Sequence, residues 1–196
     1  QRSLGVAYQA RILAFAGSTR ADSFNKKLVK LAVAGARAAG AEVTELDLRY
    51  FPMPLYDEDL ERTQGIPPQA RRLKDLFLSH HGLLIASPEY NSSYSGVLKN
   101  SIDWVSRPVP NEPHCFAGKV AGLMSASPGA LGGLRGLVHV RAMLGNLGVL
   151  VLPEQVTVPA AHEAFDDKGN LKDASRQHSV VKLGARVAQV LAKLNG

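Results

Sequence analysis

The sequence predicts an open, doubly wound α/β domain, and two observations carry that prediction. Five short β-type runs alternate with five stretches of helical apolar spacing along the 196 residues, and three of the runs are almost continuously apolar. Strands covered by helices on both faces read that way, because neither face meets water. Regular alternation of strand and helix calls for right-handed crossovers between parallel neighbours.

In chain order, the first strand is RILAFA, Arg11 to Ala16, followed by a helix over Asn25 to Ala39 in which Leu28, Leu31 and Ala32 share a face. EVTELDL, Glu42 to Leu48, alternates as an edge strand does, and a helix is predicted at Pro67 to His81. GLLIAS, Gly82 to Ser87, precedes a helix over Val97 to Ser106, and KVAGLMS, Lys119 to Ser125, precedes one over Leu131 to Leu147. GVLVLP, Gly148 to Pro153, is the last strand, and the last helix runs from Asp173 to Leu194 on Val180, Leu183, Val187, Val190, Leu191 and Leu194. Five such units match the flavodoxin-like strand order 2-1-3-4-5, whose crevice lies beyond the carboxyl ends of the strands near the switch point. The Pro-rich pieces YFPMPLYDEDLE and RPVPNEPH read as ordered surface excursions.

A chain that is 45% hydrophobic and 20% charged suits one domain, placed here at 10–196, with 1–9 as a flexible tail. No apolar run approaches the roughly 18 to 20 residues of a membrane span, so no membrane insertion is expected. The net charge of +6 is spread singly or in pairs without aromatic interleaving, which argues against nucleic acid as a partner. A single cysteine, Cys115, and the absence of clustered ligand spacing predict no disulfide, no metal and a cytoplasmic location. The chain begins at Gln1 rather than Met, so an upstream piece is expected, and QRSLGVAYQ lacks the apolar core of a secretory signal.

Function is to be sought in the loops after strands 1, 3 and 4. The first, AGSTRADSFN, is neither a dinucleotide G-x-G-x-x-G nor a Walker loop. It places Ser18, Thr19, Arg20, Ser23 and Asn25 at a helix N-terminus, where hydroxyls, a guanidinium and backbone N–H groups suit a terminal phosphate. Ser23 or Asn25 serving only as a helix cap is the competing reading. The second loop, SPEYNSSYSG, is stiffened by Pro88 and offers Glu89, Tyr90 and Asn91, an aromatic plane and hydrogen-bonding edges fit for a flat heterocycle. A plain turn-rich surface loop explains the same residues. The third, SASPGALGGLRG, has four glycines that permit close backbone approach, with Ser125, Ser127 and Gly129 first after the strand and Gly132 and Gly133 as a flexible lead-in to the helix.

Taken together, GSTRADSFN, PEYNSSYSGVLKNSIDW and SASPGALGG resemble the NAD(P)H-dependent FMN reductase family of quinone, azo-dye and chromate reductases, over about Arg11 to Leu152. The resemblance implies a flavodoxin-like fold and a tightly bound, non-covalent FMN. Its phosphate would lie on Ser18, Arg20, Ser23 and Asn25, and its isoalloxazine and ribityl chain along Pro88, Glu89, Tyr90, Asn91 and Ser92. Ser125, Ser127 and Gly129 would lie beside the flavin, with backbone donors from Ser127 to Ala130 at its N1 and C2 oxygen. NAD(P)H would be co-substrate and a small molecule the electron acceptor, in ping-pong turnover, with the flavin carrying the chemistry and no catalytic side chain. A homodimer or homotetramer is implied, with the helix of Asp103 and Trp104 in an interface and Arg135 reaching a neighbour. Thr19 and NSSYSG depart from the family's usual residues and bear on substrate choice.

Three other functions remain to be weighed. A flavodoxin-type electron carrier would want an acidic docking surface, which a chain of net charge +6 does not suggest. A receiver-type signalling domain needs acidic residues after strand 1, and a low-molecular-weight phosphatase needs a cysteine in its phosphate loop. Here GST stands after strand 1, and Cys115 precedes strand 4.

Overall fold

The computed structural model describes residues 8–196. Its elements are β1 (Arg11–Ala16), α1 (Phe24–Ala38), β2 (Glu42–Glu45), α2 (Glu58–Gln64), α3 (Pro68–Ser79), β3 (Gly82–Ala86), α4 (Gly96–Val105), β4 (Val120–Ala126), α5 (Leu134–Asn146), β5 (Leu150–Val158), α6 (Ala161–Ala164) and α7 (Ala174–Asn195). The sheet is parallel throughout, in the expected order β2-β1-β3-β4-β5.

Alternate strand residues feed two cores, as the period of two requires. Ile12, Ala14, Ala16, Leu84 and Met124 meet α1 and α7, while Leu13, Phe15, Leu83, Ile85 and Leu123 meet α3, α4 and α5. On the first face α1 and α7 cross so closely that a Cβ on Gly35 would land on the Val181 carbonyl oxygen, and one on Gly184 on that of Ala32. Only glycine permits that approach.

Several boundaries differ from those the sequence predicts. β2 stops at Glu45, and Asp47 then caps a single 3-10 turn over Leu48–Tyr50 by accepting from Arg49 N at 2.9 Å. β5 runs past Pro153 to Val158 because its pairing with β4 skips at that point, from Ala121↔Val151 to Leu123↔Gln155. A bulge on an edge strand is where a residue without an N–H is tolerated. α2 was not foreseen: none of its residues is buried, so it shows no apolar face, and it stands on its Asp57 cap and the left-handed Gly65. The segment before it is pinned to α4 by Asn100, which accepts from Tyr56 N and donates to the Pro54 carbonyl oxygen, each at 2.8 Å. Trp104 donates to the same oxygen and is fully buried, so its side chain is covered by its own chain rather than left for a neighbouring subunit.

At the amino ends of the strands, His80 closes α3 as a neutral imidazole, since burial pushes its pKa down and Nδ1 donates to the Leu76 carbonyl oxygen while Nε2 faces Thr44 Oγ1. Of the expected loose segment, residues 1–7 lie outside the described residues, whereas Tyr8 stacks on His81. Among the described residues no helix is long and apolar enough to cross a membrane.

Candidate functional site

The loops after β1, β3 and β4 converge on a cleft of about 150 Å³. Of the residues predicted for the site, Ser18, Arg20, Ser23, Asn25, Pro88, Glu89, Tyr90 and Ser127 line it, while Asn91, Ser92, Ser125 and Gly129 do not. Phe24, Ala126 and Pro128 complete the wall. These three carry no polar signal, which is why a search for chemistry in the sequence passes over them.

The β1 loop is held open by its own bonds and by a residue the sequence reading missed. Arg49, from the turn after β2, donates through Nε to the Thr19 carbonyl oxygen at 2.9 Å. Arg20 N donates to Ser18 Oγ at 3.2 Å, and the Arg20 guanidinium reaches the Asp22 carbonyl oxygen at 2.9 Å. Ser23 takes the N-cap position of α1, yet its hydroxyl caps nothing and no acidic residue sits in the first turn. The helix start therefore offers its N–H groups and a spare hydroxyl to the cleft. Asn25 is committed elsewhere: its Nδ2 donates to the Ala126 carbonyl oxygen and its Oδ1 accepts from Ala126 N, both at 2.9 Å, with the residue 3% exposed. It ties the start of α1 to the end of β4, which places two loops of the cleft against each other.

The β3 loop turns tightly. Tyr90 and Ser93 exchange backbone hydrogen bonds of 2.9 and 3.0 Å around Asn91 (φ 50°) and Ser92 (φ 64°), both left-handed, as in a type I′ turn. The turn leaves the Tyr90 ring 54% exposed at the rim. Glu89 faces away from the heterocycle role: its carboxylate accepts from Gly136 N at 2.8 Å and pairs with Arg135 at 3.3 Å. α5 has Gly133 at its N-cap and no capping side chain of its own, so Glu89 supplies that cap from another loop. Arg135 is thus engaged within its own chain.

After β4, Ser125 is fully buried and donates to the Ser87 carbonyl oxygen at 2.6 Å. Gly132 and Gly133 both have positive φ, and a Cβ at Gly133 would strike Ser125 Oγ. What approaches these glycines is the protein itself, so the flexible lead-in expected from the sequence is a packed turn. Ser127 N donates to the Val158 carbonyl oxygen at 3.1 Å, and Pro128 has no N–H. The loop's remaining donor toward the cleft is the Ser127 hydroxyl, whose oxygen accepts from Gly129 N at 3.4 Å.

The donor set therefore consists of the Ser18, Ser23 and Ser127 hydroxyls, the Arg20 guanidinium and the first turn of a 15-residue helix. The one carboxylate on the wall, Glu89, is already neutralised by Arg135 and a backbone N–H. Such a surface suits a phosphate monoester, with an exposed aromatic ring and Pro88 at the far side for a flat ring system.

Known proteins bear on this geometry directly. Residues 10–163 match the family model described as NADPH-dependent FMN reductase. An NAD(P)H-dependent FMN reductase of Pseudomonas aeruginosa is 38% identical over 164 residues, covering 83% of this chain and 85% of that protein. A quinone reductase of Escherichia coli K12 is 36% identical over 146 residues, covering 72% of this chain and 73% of its own. Among solved structures FerB, a flavoenzyme NAD(P)H:(acceptor) oxidoreductase from Paracoccus denitrificans, superposes with a TM-score of 0.76 at 28% identity, over 94% of this chain and 98% of that one. The sheet order, the phosphate-fitting loop and these matches agree, and the chain belongs to the NADPH-dependent FMN reductases, a family of flavodoxin-like oxidoreductases.

Proposed function

We propose that this protein oxidises NAD(P)H and passes the electrons to quinones or similar small acceptors, with FMN held in the cleft between the β1, β3 and β4 loops. The observation that carries this reading is the unspent Ser23 hydroxyl and uncapped α1 start beside Arg20, with no free carboxylate on the wall. Ser18, Arg20 and Ser23 hold the phosphate, while Asn25 acts through Ala126 by fixing the loop that faces it. Pro88 and Tyr90 flank the ring system. The turn at Asn91 and Ser92 sets the direction of Tyr90, and Glu89 keeps α5 against that turn. Ser125 acts from beneath through Ser87, Ser127 contributes a hydroxyl, and Gly129 N holds that hydroxyl's oxygen. When bound, FMN supplies the hydride acceptor and the electron store between the two substrates.

Because among the described residues no carboxylate, imidazole, amine or thiol stands free in the cleft, its residues bind, orient and exclude water. The same exposed face serves NAD(P)H and then the acceptor, which makes turnover ping-pong. Leu131, Leu134 and Val138 lie 49%, 41% and 58% exposed at the start of α5 beside the cleft, and such a cluster supports a homodimer or homotetramer as the working form. Residues 10–196 form its single domain, and the cytoplasm is its proposed location.

The test is the absorption spectrum of the purified protein followed by anaerobic addition of NADPH and NADH. A bound-flavin spectrum bleached by either nucleotide, then restored by a quinone, is expected. A yellow protein that neither nucleotide bleaches would be an electron carrier instead.

A further inference from the structure

We infer that a second groove, between α1 and the turn after β2, receives the adenylate end of the pyridine dinucleotide. This rests on the reductase reading above and names the part of the surface that recognises its co-substrate. The groove has a volume of about 730 Å³, several times that of the cleft, and falls in the size range of cofactor sites. Ser23 lines both, so the groove begins where the phosphate cradle ends.

The chemistry of its wall is specific. Ala14, Ala16 and Val29 make a shallow floor of small side chains. Three of the wall's charges are cancelled locally: Lys26 pairs with Asp47 at 2.6 Å, and Glu45 with Arg37 at 3.0 Å. Among the described residues Lys27 and Lys30 have no carboxylate within 4.0 Å, and Asp22 has no cationic side chain within that distance. Lys27 Nζ lies over the ring of Phe165, 6.0 Å from its centroid, and Phe165 does not line the groove, so Lys30 is the ammonium left to it, suited to a phosphate ester. Asp22 stands at the end nearer the cradle, where a carboxylate can accept from ribose hydroxyls.

Tyr50 closes the outer side with a ring 70% exposed, placed by the 3-10 turn that Asp47 caps. An exposed aromatic plate beside an unpaired cation and a carboxylate matches the three parts of an adenylate: base, phosphate and ribose. A polyanion or an acidic membrane is a poor match, because Lys30 and Asp22 together leave no net charge.

The probe is 2′,5′-ADP, titrated calorimetrically into the FMN-loaded protein and used as an inhibitor of NADPH oxidation. Binding is expected in the wild type, with inhibition competitive against NADPH. The Lys30→Ala variant and Tyr50→Ala are each expected to weaken binding and raise KM for NADPH roughly tenfold, with kcat, flavin content and KM for the acceptor held within about twofold. Tyr50→Phe should restore the wild-type values, which a loss of folding would not allow. Wild-type protein that gives no heat with 2′,5′-ADP, or lysine and tyrosine variants that bind it unchanged, overturns the assignment. Nucleotide binding without bleaching of the flavin would instead defeat the reductase reading and leave a nucleotide groove.

Discussion

Replacing Asn25 with alanine removes one side chain and unpairs two backbone groups. Asn25 donates to the Ala126 carbonyl oxygen and accepts from Ala126 N–H, both at 2.9 Å, from a position 3% exposed. An unmade bond at a buried polar group costs about 1 to 3 kcal/mol, so two predict a loss of about 2 to 6 kcal/mol. For a chain of this size each kcal/mol shifts Tm by about 2 to 4 °C, so the variant should melt at least about 4 °C lower. Because Ala126 and Ser127 line the cleft, FMN affinity should fall with it. Asn25→Asp is the informative companion: it keeps the acceptor for Ala126 N–H but turns an oxygen toward the Ala126 carbonyl and adds negative charge beside the phosphate. It should therefore lose FMN more severely than alanine does. Thermal melts of the flavin-free proteins and equilibrium dialysis against FMN measure the two effects separately. An alanine variant whose flavin-free Tm lies within a degree of wild type would refute the clamp.

Four further outcomes are expected. Arg20→Ala removes a charge-assisted contact worth about 1.5 to 3 kcal/mol, which should raise the Kd for FMN about ten- to a hundredfold while leaving the Tm of the flavin-free protein unchanged. Glu89→Ala uncaps α5 and should cost about 1 kcal/mol of stability in urea unfolding, with Glu89→Gln recovering part of it as a neutral acceptor for Gly136 N. Burial pushes the Lys119 ammonium down to about 8 from 10.5, so between those two pH values the unfolded chain binds a proton that the native chain lacks. Wild-type stability should then rise with pH across that window relative to Lys119→Met, by up to about 3 kcal/mol, and parallel pH profiles would contradict it. Gly184→Ala drives a methyl onto the Ala32 carbonyl oxygen and should destabilise by about 1 to 3 kcal/mol or more, read as a lower urea midpoint.

The strand order was legible because each strand carries its pattern in consecutive residues: RILAF and GLLIA need no partner to be read as buried. That Ser18, Arg20 and Ser23 share one wall of the cleft was legible for a similar reason, since they lie within six residues of one another. Residues whose roles depend on distant partners were named for the site but not understood. Asn25 meets Ala126, 101 positions on, Ser125 meets Ser87, and Glu89 meets Gly136. Nothing local distinguishes an asparagine that binds a ligand from one that binds a buried peptide group. Arg49 was missed altogether, because its bond to Thr19 links two loops 30 residues apart. The course of β5 beyond Pro153 was hidden by the proline, whose effect depends on which edge of the sheet it occupies.

The helix α7 lies wholly beyond residue 163, where the family match ends, yet Gly184 seats it against α1 and its Val180, Leu183, Val187 and Leu191 roof one side of the sheet. A chain cut at that boundary would lay bare the flank of the very helix whose first turn lines the cleft. The carboxyl-terminal 33 residues, though none of them lines the cleft, are therefore part of what holds α1 and the loop before it in place.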